Sequence, residues 1–360
     1  MRVTRRLNDE SGVTAVMVAI LLLVLVGLLA LTIDGGLLWT KHRRVRAAND
    51  AAALAAAYSC AKGEGLANAN LKADEVAVAN VSGVTQLSSN AYPEGCETQG
   101  GEVTVRYMGN QELMFGPAVG VSSPKPVVAS ATARWGGASG ATNVAPLMLS
   151  INRLSSCGVP YSPSLVIGQS TCFFWWDNGN QNNQTALTNA EWGLMDLRTW
   201  GIAPSASCPG NASQSEVTSW IYNGFPGSLL IDPPPHEYVC RGAGSQGGAL
   251  NNDLNAQAGR ILWFPVNNQN AQVQANGTLC PPNNVDGSCS VHKYAIVGFA
   301  ALKIVAVTSG NAAKTMCNKQ VQGNGNFRCL QTVWMGFQPG GLLGGGGTQN
   351  FGLFAVALTG

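Results

Sequence analysis

VTAVMVAILLLVLVGLLALTI, residues 13 to 33, runs for twenty-one positions without a charge. At a helical rise of about 1.5 Å per residue it reaches roughly 31 Å, the thickness of a bilayer's hydrocarbon core. Leu and Val dominate the stretch, no Pro interrupts it, and Gly27 is its only internal helix-weakening residue. A helix buried in a soluble core normally keeps a polar stripe, and this one has none. The stretch therefore reads as a single membrane span, with the rest of the chain arranged around it.

Outward from the span, Asp34, Gly35 and Gly36 leave the apolar run, and Trp39 stands where an interfacial aromatic anchor belongs. Lys41, Arg43, Arg44 and Arg46 form a basic collar, which membrane-edge anchoring explains better than a nucleic-acid patch does. RAANDAAALAAAYSCA follows, residues 46 to 61, and Ala is the best helix former. The pattern predicts one unbroken helix from Val13 to about Ala61, on the order of 70 Å long. Its outer half is small-faced, loses little side-chain entropy and permits close helix contacts, so packing against other helices is expected there.

Gly12-Val13-Thr14-Ala15-Val16, the apolar run, Asp34-Gly35-Gly36-Leu37-Leu38, the collar, and Ala48-Asn49-Asp50-Ala51-Ala52-Ala53-Leu54-Ala55-Ala56-Ala57 occur in that order. Together they resemble the N-terminal signature of the TadE/TadG-like proteins of Tad (Flp-type) pilus assembly. The resemblance implies a membrane-anchored, pseudopilin-like subunit of a bacterial pilus or secretion machine, with its bulk outside the cytoplasm. It also implies other pilus-assembly subunits as partners, pilin-like helices among them, with self-assembly left open. Gly12, Asp34, Gly35, Asn49, Asp50, Ala51 and Leu54 are then the candidate membrane and partner-helix residues. Pilins and the TadE type carry a Glu five residues after the prepilin-peptidase Gly. Here that place holds Met17, which favours the TadG type, a pilin-like helix retained whole.

Only 11% of the 360 residues are charged and 44 are Gly, a β-rich, extracytoplasmic composition rather than that of a cytosolic enzyme. The ten cysteines, Cys60, Cys96, Cys157, Cys172, Cys208, Cys240, Cys280, Cys289, Cys317 and Cys329, all follow the span. An even number on one side of a membrane reads as disulfides in an oxidising compartment. Flanking charges do not decide orientation, because Arg2, Arg5 and Arg6 precede the span and four basic residues follow it. The cysteines place the N-terminus in the cytoplasm and the bulk outside the inner membrane. A cleaved signal peptide is the competing reading, but the apolar core is longer than the usual 7–15 residues.

Four segments are expected: a cytoplasmic tail at 1–12, the span and extended helix at 13–62, a small α+β pilin-like region at 63–141, and a β-rich domain at 142–360. Gly63 to Gly65 closes the helix, and Ala67–Val81 is Ala-rich with modest helical periodicity. Glu102–Met108 and Pro126–Trp135 alternate as strands do. Cys60 and Cys96, the only cysteines of this part, are expected to pair. Gly136–Thr142, GGASGAT, reads as a linker. Beyond it, Gly, Asn, Ser and Pro clusters separate short apolar runs such as Ser228–Ile231 and Ile261–Val266, the spacing of β-structure. Trp192, Met195 and Leu197 suggest a short helix over 187–200. Tyr294–Val307 is too short to span a membrane and contains Lys303, so a long core strand is expected, in one sheet with Phe351–Leu358. The fold class is α+β.

Chemistry-bearing residues are sparse. His42 belongs to the collar, and His236 and His292 complete the histidines. Cys289 and His292 have ligand-like spacing, but a zinc site needs a second pair, so a disulfide at Cys289 is preferred. No Gly-x-Ser-x-Gly elbow, P-loop or dinucleotide fingerprint occurs. Asp286-Gly287-Ser288-Cys289-Ser290 fits the string of a metal-dependent adhesion site, yet Pro281 and Pro282 stand where a buried strand should lead in. Asp177-Asn178-Gly179-Asn180 lacks the Glu that would close a calcium loop. Phe173-Phe174-Trp175-Trp176 reads as core, with an exposed sugar or partner contact as the alternative. Asp34 reads equally as a solvated interfacial residue within reach of Lys41 and as a partner for a neighbouring subunit's basic or N-terminal group. A non-catalytic assembly subunit without metal, cofactor or nucleic acid is the expectation. A secreted or surface adhesin that uses this N-terminus for export is the alternative.

Overall fold

The computed structural model describes residues 10–97, 99–159, 167–177, 192–231, 237–242, 247–274, 276–280, 292–318, 327–342 and 351–359. Its first element, α1 (Glu10–Ala61), is one helix of 52 residues, about 78 Å long at the ordinary helical rise. Gly35 and Gly36 do not break it, although each weakens a helix by about 1 kcal/mol relative to Ala. The apolar part stands clear of the rest of the chain: Thr14 through Leu29 are exposed throughout. This is the one described helix long and apolar enough to cross a membrane.

The outer half of α1 is buried by its own chain. A second helix, α2 (Leu66–Asn80), folds back along it, offering Ala69, Ala73 and Ala77 at intervals of four, all fully buried. Ala48, Ala52, Ala53, Ala56 and Ala57 of α1 are also fully buried, so the two backbones approach closely. The small-faced surface expected to meet other helices thus meets α2 and a sheet of the same chain.

That sheet has five strands. β1 (Val84–Gln86) pairs with β2 (Gly100–Gln111), and β2 pairs antiparallel along its whole length with β3 (Lys125–Gly137). Val103, Val105 and Tyr107 of β2 and Ala131, Ala133 and Trp135 of β3 point to the buried side at a period of two. The terminal strand Leu353–Leu358 pairs antiparallel with β3, and Gln338–Pro339 lies beyond it. The last strand of the chain therefore completes the sheet on which the first helix lies.

The middle of the chain builds a sheet of seven strands around Lys293–Ser309. This strand has Ile261–Asn267 on one side, Phe327–Trp334 on the other, and Glu237–Cys240 along its beginning. With both edges taken it cannot accept Leu353–Leu358, so the two do not share a sheet as expected. Trp192–Leu194 is a strand paired with Leu147–Ser150, followed by a 3-10 turn at Leu197–Thr199, and not one helix; residues 187–191 lie outside the described residues. Gly136–Thr142 is not a loose linker either. Gly136 and Gly137 end β3, and Gly140–Ala141 is buried between Leu229–Leu230 and Gly341–Leu342. At Gly140 a Cβ would collide with the Leu230 side chain, so its glycines reflect close packing rather than flexibility.

Disulfides join Cys60 to Cys96, Cys157 to Cys172, Cys208 to Cys240 and Cys317 to Cys329. Cys280 is also disulfide-bonded, and Cys289 lies outside the described residues. The first bridge ties the end of α1 to the loop entering β2, closing a separation of 36 residues. In the chain-entropy account such a loop contributes about 3–4 kcal/mol. Cys60→Ala with Cys96→Ala should lower the stability of the detergent-solubilised chain by about that amount, read from the midpoint of chemical denaturation without reductant; an unchanged midpoint would contradict the assignment.

Candidate functional site: the junction of the apolar helix with its sheet

β2 runs antiparallel to α1, and three contacts set its register. Farthest from the apolar run, Asn49 is fully buried and accepts the Tyr107 backbone N–H on Oδ1 at 2.8 Å. The Asn49 Nδ2 donates to the Val45 carbonyl at 2.8 Å. Tyr107 carries the link onward, because its Oη donates to Asp74 Oδ1 of α2 at 2.6 Å. One tyrosine thus ties both helices to the sheet. Its phenol is pushed up, first by burial and then by the bond to Asp74, and burial pushes neighbouring Tyr92 up to about 12.

Gly109 lies next along β2. A Cβ there would meet Lys41 Cε at 2.8 Å and Val45 Cγ2 at 3.1 Å, so the aliphatic stem of the collar lysine occupies the space the glycine leaves. Arg43, Arg44 and Arg46 are exposed, as is Trp39.

The third contact involves Asp34, at the end of the apolar run. Its Oδ1 accepts the Met114 N–H at 2.8 Å, and its Oδ2 accepts those of Phe115 at 3.1 Å and Gly116 at 2.7 Å. Gly116 opens the 3-10 helix Gly116–Val119, so the carboxylate satisfies donors that begin that turn and have no partner within it. The side chain is only 9% exposed. Asp34 is therefore not the solvated interfacial residue that the sequence suggested, because it is buried and bonded to the backbone of residues 114 to 116 in its own chain.

Of the other candidate residues, Gly12 lies in the first turn of α1 and Gly35 is exposed. Asp50, Ala51 and Leu54 are half-buried, on the side of α1 that also carries half-buried Ala55 and exposed Ala47 and Tyr58. At neither Gly35 nor Gly36 does any atom of the described residues outside the helix backbone lie within 4 Å of where a Cβ would be, so no described neighbour requires glycine there.

The aromatic cluster is core: Phe174 is fully buried, Trp175 stacks on Phe327, and the Arg328 guanidinium lies over Trp176. His236 and the 286–290 string lie outside the described residues, as do Asn178 to Asn180. Among the described residues no three His, Cys, Asp or Glu side chains gather as a metal would need. A cavity of about 360 Å3 opens between Trp220, Tyr222, Arg260, Trp263 and Gln338, and among the described residues no carboxylate, His or Cys lines it.

The apolar loop that Asp34 holds is a feature the sequence reading passed over. Its signal is LMFGPAVGV, residues 113 to 121, nine positions without a polar side chain. The run is too short for a span and too rich in Gly and Pro for a strand.

Compared with known proteins, residues 12–59 match the family model Tad, described as putative Flp pilus-assembly TadE/G-like. No curated protein and no solved structure matches the chain. The match covers α1 almost from end to end, so the apolar run, the Asp34 anchor, the collar and the Ala face together make up its TadE/TadG-like part. A role related to Tad pilus assembly follows from that segment.

Two outcomes test the junction. Asn49→Ala leaves the buried Tyr107 N–H without its acceptor and should destabilise the solubilised chain by about 2 kcal/mol in denaturant titrations. Because the tyrosines hold their protons more tightly folded than unfolded, their contribution is full below about pH 10 and is lost as pH rises through the folded values. Stability should therefore fall above about pH 10, and Tyr107→Phe should shrink that fall; an unchanged alkaline limb would contradict the burial of the Tyr107 phenol in the junction.

Proposed function

We propose that this chain is a non-catalytic, pseudopilin-like subunit of the TadG type in assembly of a Tad/Flp-type pilus or related secretion machine. It sits in the inner membrane by one span, N-terminus in the cytoplasm and disulfide-bonded bulk outside, and acts by helix packing. The observation that carries this reading is the division of α1. Its outer half is largely covered by the chain's own sheet and α2, while Ala15 to Leu29 is exposed throughout. A helix built in this way presents partners with its membrane half.

Four disulfides in the region after the span support an oxidising compartment for the bulk. Gly35 and Gly36 support partner contact just outside the membrane. They weaken the helix, meet no described neighbour that would exclude a Cβ, and would let a second helix approach. The burial of Phe174, Trp175 and Trp176 removes the exposed aromatic patch that the adhesin alternative invoked at this point.

The test uses the native host. Photo-crosslinking residues at Val18 and Leu25 should yield adducts with other pilus-assembly subunits, and one at buried Ala52 should not. Gly35→Leu should abolish those adducts while the intact mass stays full-length and gains about ten hydrogens on reduction, one for each of the ten cysteines. A mass lacking the span, or adducts with no pilus subunit, would refute the proposal.

A further inference from the structure

β2 and β3 form a hairpin whose open end lies far out along α1 and whose tip lies at the apolar run. The register is continuous: Tyr107 meets Asn49, Gly109 meets Lys41 and Val45, and residues 114 to 116 meet Asp34. Fifteen helical residues separate Asn49 from Asp34, so the hairpin descends about 22 Å toward the membrane end of the helix. Its connecting loop goes further. The 3-10 helix Gly116–Val119 contacts α1, and Ala30 and Ile33, a turn inside the apolar run, are partly shielded, whereas everything from Thr14 to Leu29 is exposed.

At that depth the loop turns apolar groups outward. Met114 is 69% exposed and Val121 39%, and Pro117, Ala118 and Gly120 are exposed between them. Leu113, Phe115 and Gly116 face inward, and Glu112 is held at the root of the loop by the Ser123 hydroxyl at 3.0 Å. An outward apolar surface made of loop residues is unfavourable in water, and backbone N–H groups entering a bilayer must be satisfied. Asp34 satisfies those of residues 114 to 116. Beyond the loop, exposed Arg43 and Arg44 stand nine and ten helical residues past Asp34, about 14 Å along the axis, within reach of anionic headgroups if the apolar run spans a bilayer.

We propose that residues 113–121 are a second membrane contact, seated in the interfacial layer of the bilayer that the helix crosses, with Met114 and Val121 against lipid. The contact holds the sheet against the membrane surface and fixes its rotation about the span, which a single helix leaves free. It rests on the span lying in a bilayer and not on the pilus role.

The test is photo-crosslinking of the full chain reconstituted in vesicles of phosphatidylethanolamine and phosphatidylglycerol. A benzophenone residue is placed singly at Met114, Val121, Leu25 and Leu279, the last being an exposed residue of the β-rich part. Lipid adducts should form at Met114 and Val121 at yields comparable with Leu25 and be absent at Leu279. Lipid adducts at Leu25 alone would overturn the proposal while leaving the span intact. Adducts only between copies of the chain at Met114 and Val121 would assign the loop to a protein partner and overturn it equally. No lipid adduct at Leu25 would remove the span itself, and the proposal with it.

Discussion

One carboxylate sets where the membrane part of this protein stops and the folded part starts. Asp34 collects the N–H groups of Met114, Phe115 and Gly116, and hydrogen bonds to a charged acceptor are the stronger kind. An amide in its place would keep one acceptor oxygen but turn an NH2 toward the remaining N–H groups, a hydroxyl would supply one short acceptor, and an apolar residue would leave three N–H groups unsatisfied. The bond network also sets the register of the whole hairpin, because β2 leaves the loop antiparallel to α1 and has no freedom to slip once residues 114 to 116 are held. Slipping β2 by one residue would turn Val103, Val105 and Tyr107 away from the helix.

The Ala face supplies the second constraint. Ala has little side chain to order and little apolar area to bury, so each buried Ala contributes modestly. The benefit is proximity: helix α1 lies close enough to β2 for Asn49 to bond the Tyr107 backbone and for Lys41 to lie over Gly109. Polar contacts fix the register, and small residues make those contacts reachable. Substituting larger apolar groups would add area and push the polar partners out of range.

What could be read in the sequence follows from the range of the interactions. The span, the Ala helix and the two hairpin strands declare themselves through local periodicity, as does the long strand beginning at Lys293. The Cys60–Cys96 pair follows from there being no other cysteine nearby. Leu353–Leu358 gave no sign of its partner, since pairing with β3 across more than two hundred residues depends on which edges other strands have already occupied. Gly136–Thr142 misled because glycine serves flexibility and close packing alike, and only the approach of Leu230 and Leu342 tells which. Asp34 stood out in the sequence by its charge next to the apolar run, but its donors lie about eighty residues away in backbone groups that every residue possesses. A backbone donor leaves no mark on composition.

The junction also explains why α1 is uninterrupted. A flexible break at Gly35-Gly36 would uncouple the span from the sheet, and the helix continues through both glycines because its two sides are held independently, by Asp34 below and by Val45, Asn49 and the Ala face above. An unbroken helix thus joins the span to the sheet over about 40 Å, from Asp34 to the Cys60 bridge. The price of that rigidity is that partners cannot bind the outer half of the helix by displacing what covers it, because doing so would expose the Tyr107 N–H, the Asp74 bond and the α2 stripe at once. Among the described residues, the parts of α1 that its own chain leaves open are the apolar run and the strip that includes Asp50, Ala51 and Leu54.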